Sequence, residues 1–124
     1  LDTHAVIWAA EGDARLGSSA RSLLESCTFG DAVISDITLL ETAMLVAKKR
    51  LGIRVSLARY LQELQNRFPV LPITAGIAAG TVGLDLPHGD PFDRVIAATA
   101  SVHAIPLVTR DKYLAACPAI ETIW

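Results

Sequence analysis

Apolar positions along this chain follow two different periods in alternation. Short continuous runs, Ala32-Val33-Ile34-Ser35, Val70-Leu71-Pro72-Ile73 and Ile105-Pro106-Leu107-Val108-Thr109, read as buried parallel strands. The closing Ile120-Glu121-Thr122-Ile123-Trp124 alternates like an edge strand. Leu1-Asp2-Thr3-His4 reads as the tail of one more strand. The chain lacks an initiating Met, and a few upstream residues are expected to complete that strand. Between the runs, apolar residues recur at spacings of three and four. They predict a short helix over 5–10 ended by Gly12, and a second from the turn at Leu16-Gly17-Ser18-Ser19-Ala20 to about Cys27. A long helix follows over 37–51, capped by Ser35 or Asp36, stopped by Gly52 and carrying Ile37, Leu40, Met44 and Ala47 as its core stripe. An amphipathic helix over 55–67 sets Leu57, Tyr60, Leu61, Leu64 and Phe68 in register, and Thr74 caps a Gly- and Ala-rich helix reaching Val82. Strands alternating with helices predict a three-layer α/β/α sandwich on a central, mostly parallel sheet.

The stretch from His88 to Tyr113 carries the densest chemistry. Asp90 stands where an N-cap belongs, Pro91 suits the first turn, and Phe92, Val95, Ile96 and Thr99 form one stripe. Asp90 and Asp93 are one turn apart, so both can point the same way. Arg110 and Asp111 come directly at the carboxyl end of the strand after that helix, the end where open α/β sheets bind ligands. Each acid alone has a plain structural reading. Asp90 is a cap, Asp93 complements the helix dipole, and Asp111 is a turn residue or a cap. Glu41 is either exposed at the edge of its stripe or buried and in need of a partner.

The 124 residues suit one domain, and 52% hydrophobic with 19% charged residues is a globular composition. A net charge of −2 advertises no overall affinity for nucleic acid, although a local basic strip is compatible with it. Cys27 and Cys117 lack metal-ligand spacing and are expected to be reduced thiols of a cytoplasmic protein. No apolar run approaches the roughly 20 residues of a membrane span, and no signal segment is evident.

Together the acids point to one chemistry. Asp2 ends the first strand, Glu41 lies in the helix after the second, Asp93 opens a helix facing the sheet, and Asp111 follows the fourth strand. A parallel sheet can bring all four to one edge. Crowded carboxylates repel, and a hard divalent cation such as Mg²⁺ or Mn²⁺ relieves the repulsion with oxygen ligands and retained waters. That arrangement suits metal-assisted hydrolysis of a phosphodiester. Thr3, Ser35 and Thr109, each near an acid, either hold a metal-bound water or bond the backbone at strand ends.

Leu1-Asp2-Thr3-His4 with its apolar helix, Ser35-x-x-Thr38-x-x-Glu41, Asp90-Pro91-Phe92-Asp93-Arg94-x-Ile96-Ala97-Ala98-Thr99-Ala100 and Leu107-Val108-Thr109-Arg110-Asp111 resemble, in order, the successive motifs of the PIN domain. The resemblance is closest to the VapC-type toxin nucleases and covers essentially the whole chain. It implies a PIN fold over 1–124, a Mg²⁺- or Mn²⁺-dependent endoribonuclease, a homodimer and inhibition by a cognate antitoxin. It also places the acidic set on Asp2, Glu41, Asp93 and Asp111, with Asp90 as auxiliary. Asp36 departs from the pattern as an extra acid and is left out of the metal set.

On this reading Asp2 and Asp93 are the main metal ligands, while Glu41 and Asp111 bind a second metal or orient the attacking water. Arg94, Arg110 and Thr109 are the candidate substrate contacts, and Lys48-Lys49-Arg50 with Arg54 either tracks an RNA backbone or solvates a helix end. Leu57, Tyr60 and Leu61 are a candidate twofold surface, with packing inside the monomer as the competing use. Two rival readings are a structure-specific DNA nuclease of related fold and a catalytically silent module that binds RNA or a partner protein.

Overall fold

Proline bounds two of the short strands of this protein. The computed structural model describes residues 1–87 and 89–124. Its strands are β1 (Ile34–Ser35), β2 (Val70–Leu71), β3 (Leu107–Val108) and β4 (Thr122–Ile123). Pro72 follows β2 directly and Pro106 precedes β3, and neither can donate to a ladder. The result is two parallel pairs, with Ile34 opposite Val70 and Ser35 opposite Leu71 in one, and Leu107 opposite Thr122 and Val108 opposite Ile123 in the other. The mostly parallel order is as expected, and the sheet is made of two two-stranded ladders bridged by the first two residues. The Leu1 amino group donates to Val33 O at 3.0 Å, and Asp2 N donates to Val108 O at 3.0 Å.

Around this sheet lie α1 (Thr3–Glu11), α2 (Ser18–Ser26), α3 (Asp36–Ala47), α4 (Leu57–Arg67), α5 (Ala75–Gly83), α6 (Pro91–His103) and α7 (Lys112–Ala115). Their starts follow the capping chemistry of the sequence. Ser56, Thr74 and Asp90 each accept a backbone N–H from the first turn of α4, α5 and α6, and Gly12 ends α1 at φ 67°. His88, where the most acid-bearing stretch begins, lies outside the described residues.

Neighbouring residues of β3 face opposite ways, which makes the architecture layered. Val108 packs with Val6, Trp8, Ile34, Leu64 and Phe68 on the side of α1 and α4. Leu107 packs with Ile96, Ala97, Ala100 and Leu114 on the side of α6 and α7. Helices therefore cover both faces of a parallel sheet, as its apolar runs require.

Two helices differ from expectation. Residue 3 is already helical, so the expected strand tail contracts to Leu1 and Asp2, and Asp2 becomes the N-cap of α1. Helix α3 ends at Ala47 instead of 51, because Lys49 turns to φ 56° and Arg50 N bonds back to Leu45 O at 2.8 Å. Its core stripe is also not the apolar one. Thr38 and Thr42 are fully buried, whereas Leu40 is 54% exposed and Ala47 is exposed. Small threonines fill the buried side of a helix flanked by α1, α4 and α6, while Ile37 and Leu39 pack half-buried against the core on either side and Leu40 is turned outward.

Candidate active site

Asp2 is the pivot of the site because one residue ends the sheet segment and starts a helix. Its carboxylate accepts from Ala5 N at 2.7 Å, and its side chain is almost wholly buried. Thr3 and His4 follow in the first turn, Thr3 buried and His4 exposed. Glu41, in the second turn of α3, is half-buried beside them. Burial pushes its carboxyl pKa above the ordinary range, the negative charges of Asp90 and Asp2 add to that shift, and the nearness of the Thr3 hydroxyl and His4 partly opposes it. The Thr3 hydroxyl is close enough to favour the Glu41 carboxylate, and among the described residues its oxygen has no partner within hydrogen-bond geometry.

Asp111 reaches the same region from β3. It caps α7, accepting from Tyr113 N at 2.7 Å and Leu114 N at 3.1 Å, and its own N–H donates to Thr109 Oγ1 at 3.0 Å. Asp2 and Asp111 line one open groove of about 530 Å³ together with His4, Trp8, Arg15, Arg110 and Lys112. Asp2 thus shares the groove with Asp111, and both Asp2 and Asp90 lie near enough to Glu41 for their charges to act on it. Asp93 is half-buried in the first turn of α6, one turn beyond the exposed cap Asp90.

The donor set suits a hard cation. It consists of carboxylate oxygens, one of them pressed toward its protonated form, beside a buried hydroxyl without a partner. Among the described residues, no three His, Cys, Asp or Glu side chains stand together as a group that could hold a metal ion. An ion that keeps several of its waters fits such an open set better than one needing a complete protein shell.

The family described as PIN domain matches residues 1–119 of the chain. The chain belongs to the PIN domain family. A Mycobacterium tuberculosis protein named Ribonuclease VapC22 is 32% identical over 127 residues, covering 100% of this chain and 96% of its own. Among solved structures, a toxin-antitoxin complex from Klebsiella pneumoniae superimposes with a TM-score of 0.69 at 28% identity, covering 99% of this chain and 93% of that one. VapBC2 from Rickettsia felis, bound to a DNA fragment from its promoter, gives a TM-score of 0.71 at 20% identity, covering 99% and 96%, which shows likeness of fold alone.

Within this PIN domain the three expected substrate contacts have different placements. Arg110 is exposed in the groove. Thr109 is buried and its hydroxyl accepts from Asp111 N, a placement that does not suit direct contact with substrate. Arg94 donates to three carbonyls, Thr81 O at 3.0 Å, Leu84 O at 3.3 Å and Leu86 O at 3.0 Å. It ties the loop between α5 and α6, and steering phosphates does not fit that placement. Asp36, which the sequence reading leaves out of the metal set, accepts from Ile73 N at 3.0 Å.

The sequence pattern does not mark His4, Arg15 or Lys112 as groove residues. His4 and Trp8 are four apart on α1, with ring centroids 5.5 Å apart, and helical spacing alone could have paired them. Arg15 follows the helix end, and no local signal could have placed it there.

Proposed function

We propose that this PIN domain is a metal-dependent endoribonuclease and the toxin half of a toxin–antitoxin pair. The observation that carries the reading is the position of Asp2, which shares the groove with Asp111 and stands close enough to Glu41 to disfavour its charge. Asp2 and Asp93 would hold Mg²⁺ or Mn²⁺, with Asp90 beside them and Glu41 and Asp111 taking a second ion or orienting the attacking water. When bound there, the ion supplies Lewis-acid stabilisation and a nucleophilic hydroxide at neutral pH. The chain itself supplies position. Two backbone N–H groups and the Thr109 hydroxyl fix the Asp111 loop, and the first turn of α1 fixes Asp2. Arg110 meets the substrate backbone. The two free cysteines accord with action in the cytoplasm, and no helix among the described residues is long and apolar enough to cross a membrane.

The deciding experiment is incubation of the purified protein with RNA and DNA of one sequence in Mg²⁺ or Mn²⁺. RNA should be cut and DNA left intact. Cleavage of DNA would instead support a structure-specific DNA nuclease, and binding without cleavage a silent module.

The cognate antitoxin is proposed to close the same groove, in keeping with the toxin–antitoxin complex that this fold matches. The toxin itself is proposed to be a homodimer. The candidate surface at Leu57, Tyr60 and Leu61 is half-buried in the chain's own fold, with Tyr60 packed on the core and its hydroxyl donating to Glu11 at 3.3 Å. The most exposed apolar side chains on the helices, among the described residues, are instead Leu40, Val82 and Val102, at 54%, 86% and 52%. Light scattering at micromolar concentration should give the mass of two chains, and a monomer mass would rule the dimer out.

A further inference from the structure

The groove that holds Asp2 and Asp111 also gathers three cations. The Arg15 guanidinium lies 5.2 Å from the centroid of the Trp8 ring, and that of Arg110 lies 5.0 Å from the same ring. Lys112 lines the groove beside them. Both arginines are exposed, but the indole between them and the core is only 5% exposed. Trp8 is therefore a floor that holds cations by its π-face, with too little open surface for a base to stack on.

Counter-charge is uneven across this cluster. Arg15 is gripped by Asp13, with Nε at 3.0 and 3.1 Å from the two carboxylate oxygens and Nη2 at 2.6 Å from one of them. That grip fixes the direction of the guanidinium, and hydrogen bonding from Arg15 holds Asp13 down at about 2. Arg110 and Lys112 have no carboxylate partner among the described residues. Both guanidinium groups line the same groove, and a phosphate bound there can take a charge-assisted contact from each. Planar forks of donors match phosphate oxygens in pairs.

We propose that Arg15 and Arg110, seated on Trp8 with Lys112 beside them, form a subsite for a backbone phosphate of single-stranded RNA. The inference rests on the nuclease reading above and extends its Arg110 contact to a subsite built with Arg15 and Lys112 on Trp8, next to the acids. Because Asp2 and Asp111 line the same groove, the phosphate held here neighbours the one that is cleaved. With the indole covered, the subsite reads charge and not base identity, so it orients RNA without selecting sequence. Arg110 carries the larger share, since Asp13 already offsets Arg15.

The test measures KM and kcat for cleavage of a labelled single-stranded RNA over a series of salt concentrations. Arg110→Ala is expected to raise KM roughly tenfold, about the value of one hydrogen bond to a charged group. It should also flatten the dependence of log KM on log salt by about 0.7, the slope that one neutralised phosphate contributes on a single strand. Arg15→Ala should act in the same direction more weakly, and Arg110→Lys should restore the salt slope. If the wild-type protein cuts RNA while the double variant Arg15→Ala/Arg110→Ala keeps its KM and salt slope, the subsite is wrong and the nuclease reading stands. A loss confined to kcat overturns the subsite equally, by placing the arginines in the chemical step. If the wild-type protein cuts no RNA, the nuclease reading fails and takes the subsite with it.

Discussion

Asp2→Asn should lower RNA cleavage by at least about a hundredfold, the scale of removing one preorganised charge-stabilising group. It should leave thermal unfolding close to that of the wild-type protein. The two halves of this expectation come from different atoms. Asparagine caps a helix about as well as aspartate, so the bond from Ala5 N at 2.7 Å survives the change. The negative charge shared with the groove and with Glu41 does not. Asp2→Ala removes both and should cost about 1 kcal/mol of stability in addition, the usual value of an N-cap. Asp93→Asn should show the same loss of activity, since the proposal gives Asp93 the same duty. Cleavage rates measured beside melting curves separate the effects, and an Asp2→Asn protein of wild-type rate would remove Asp2 from the site.

Chelation of divalent cations should reduce cleavage to background, with Mg²⁺ or Mn²⁺ restoring it, and should expose a strain at Glu41. Burial and the charges of Asp90 and Asp2 make the folded chain hold the Glu41 proton more tightly than an unfolded chain, whose glutamate titrates near 4.5. Across the pH interval from that value up to the raised folded value, the native state binds more protons. Stability without metal is therefore greatest below the interval and declines as pH rises through it. Glu41→Gln should remove this decline and make the metal-free protein more stable at neutral pH. A bound cation acts the other way, favouring the carboxylate, and at a hundredfold excess over its Kd adds about 2.7 kcal/mol. Unfolding curves recorded with and without metal at several pH values test the argument. Identical profiles for the wild-type and Glu41→Gln proteins would show that Glu41 is not strained.

Much of the framework around the candidate site was legible in the sequence because capping chemistry is local. Asp90 before Pro91, Thr74 before its Gly-rich helix and Gly12 after an apolar run each satisfy or end a turn within a few residues, so neighbouring identities suffice to place them. The same holds for Asp111, which follows a short apolar strand and caps the next helix. Tertiary structure decided what depends on contacts far along the chain. It turned Thr38 and Thr42 inward on α3 and Leu40 outward, because the space between that helix and its neighbours admits small side chains and no hydropathy period encodes that space. It gave Arg94 three carbonyls of another segment and left Arg110 in the groove, although both arginines stand beside a candidate acid in sequence. It also brought Arg15 over Trp8, a contact made only once the chain has turned beyond Gly12 and folded back on α1. Caps and periods are properties of neighbouring residues. Which side of a helix is buried, and which cation faces the groove, are set by packing between segments that the chain brings together only when folded.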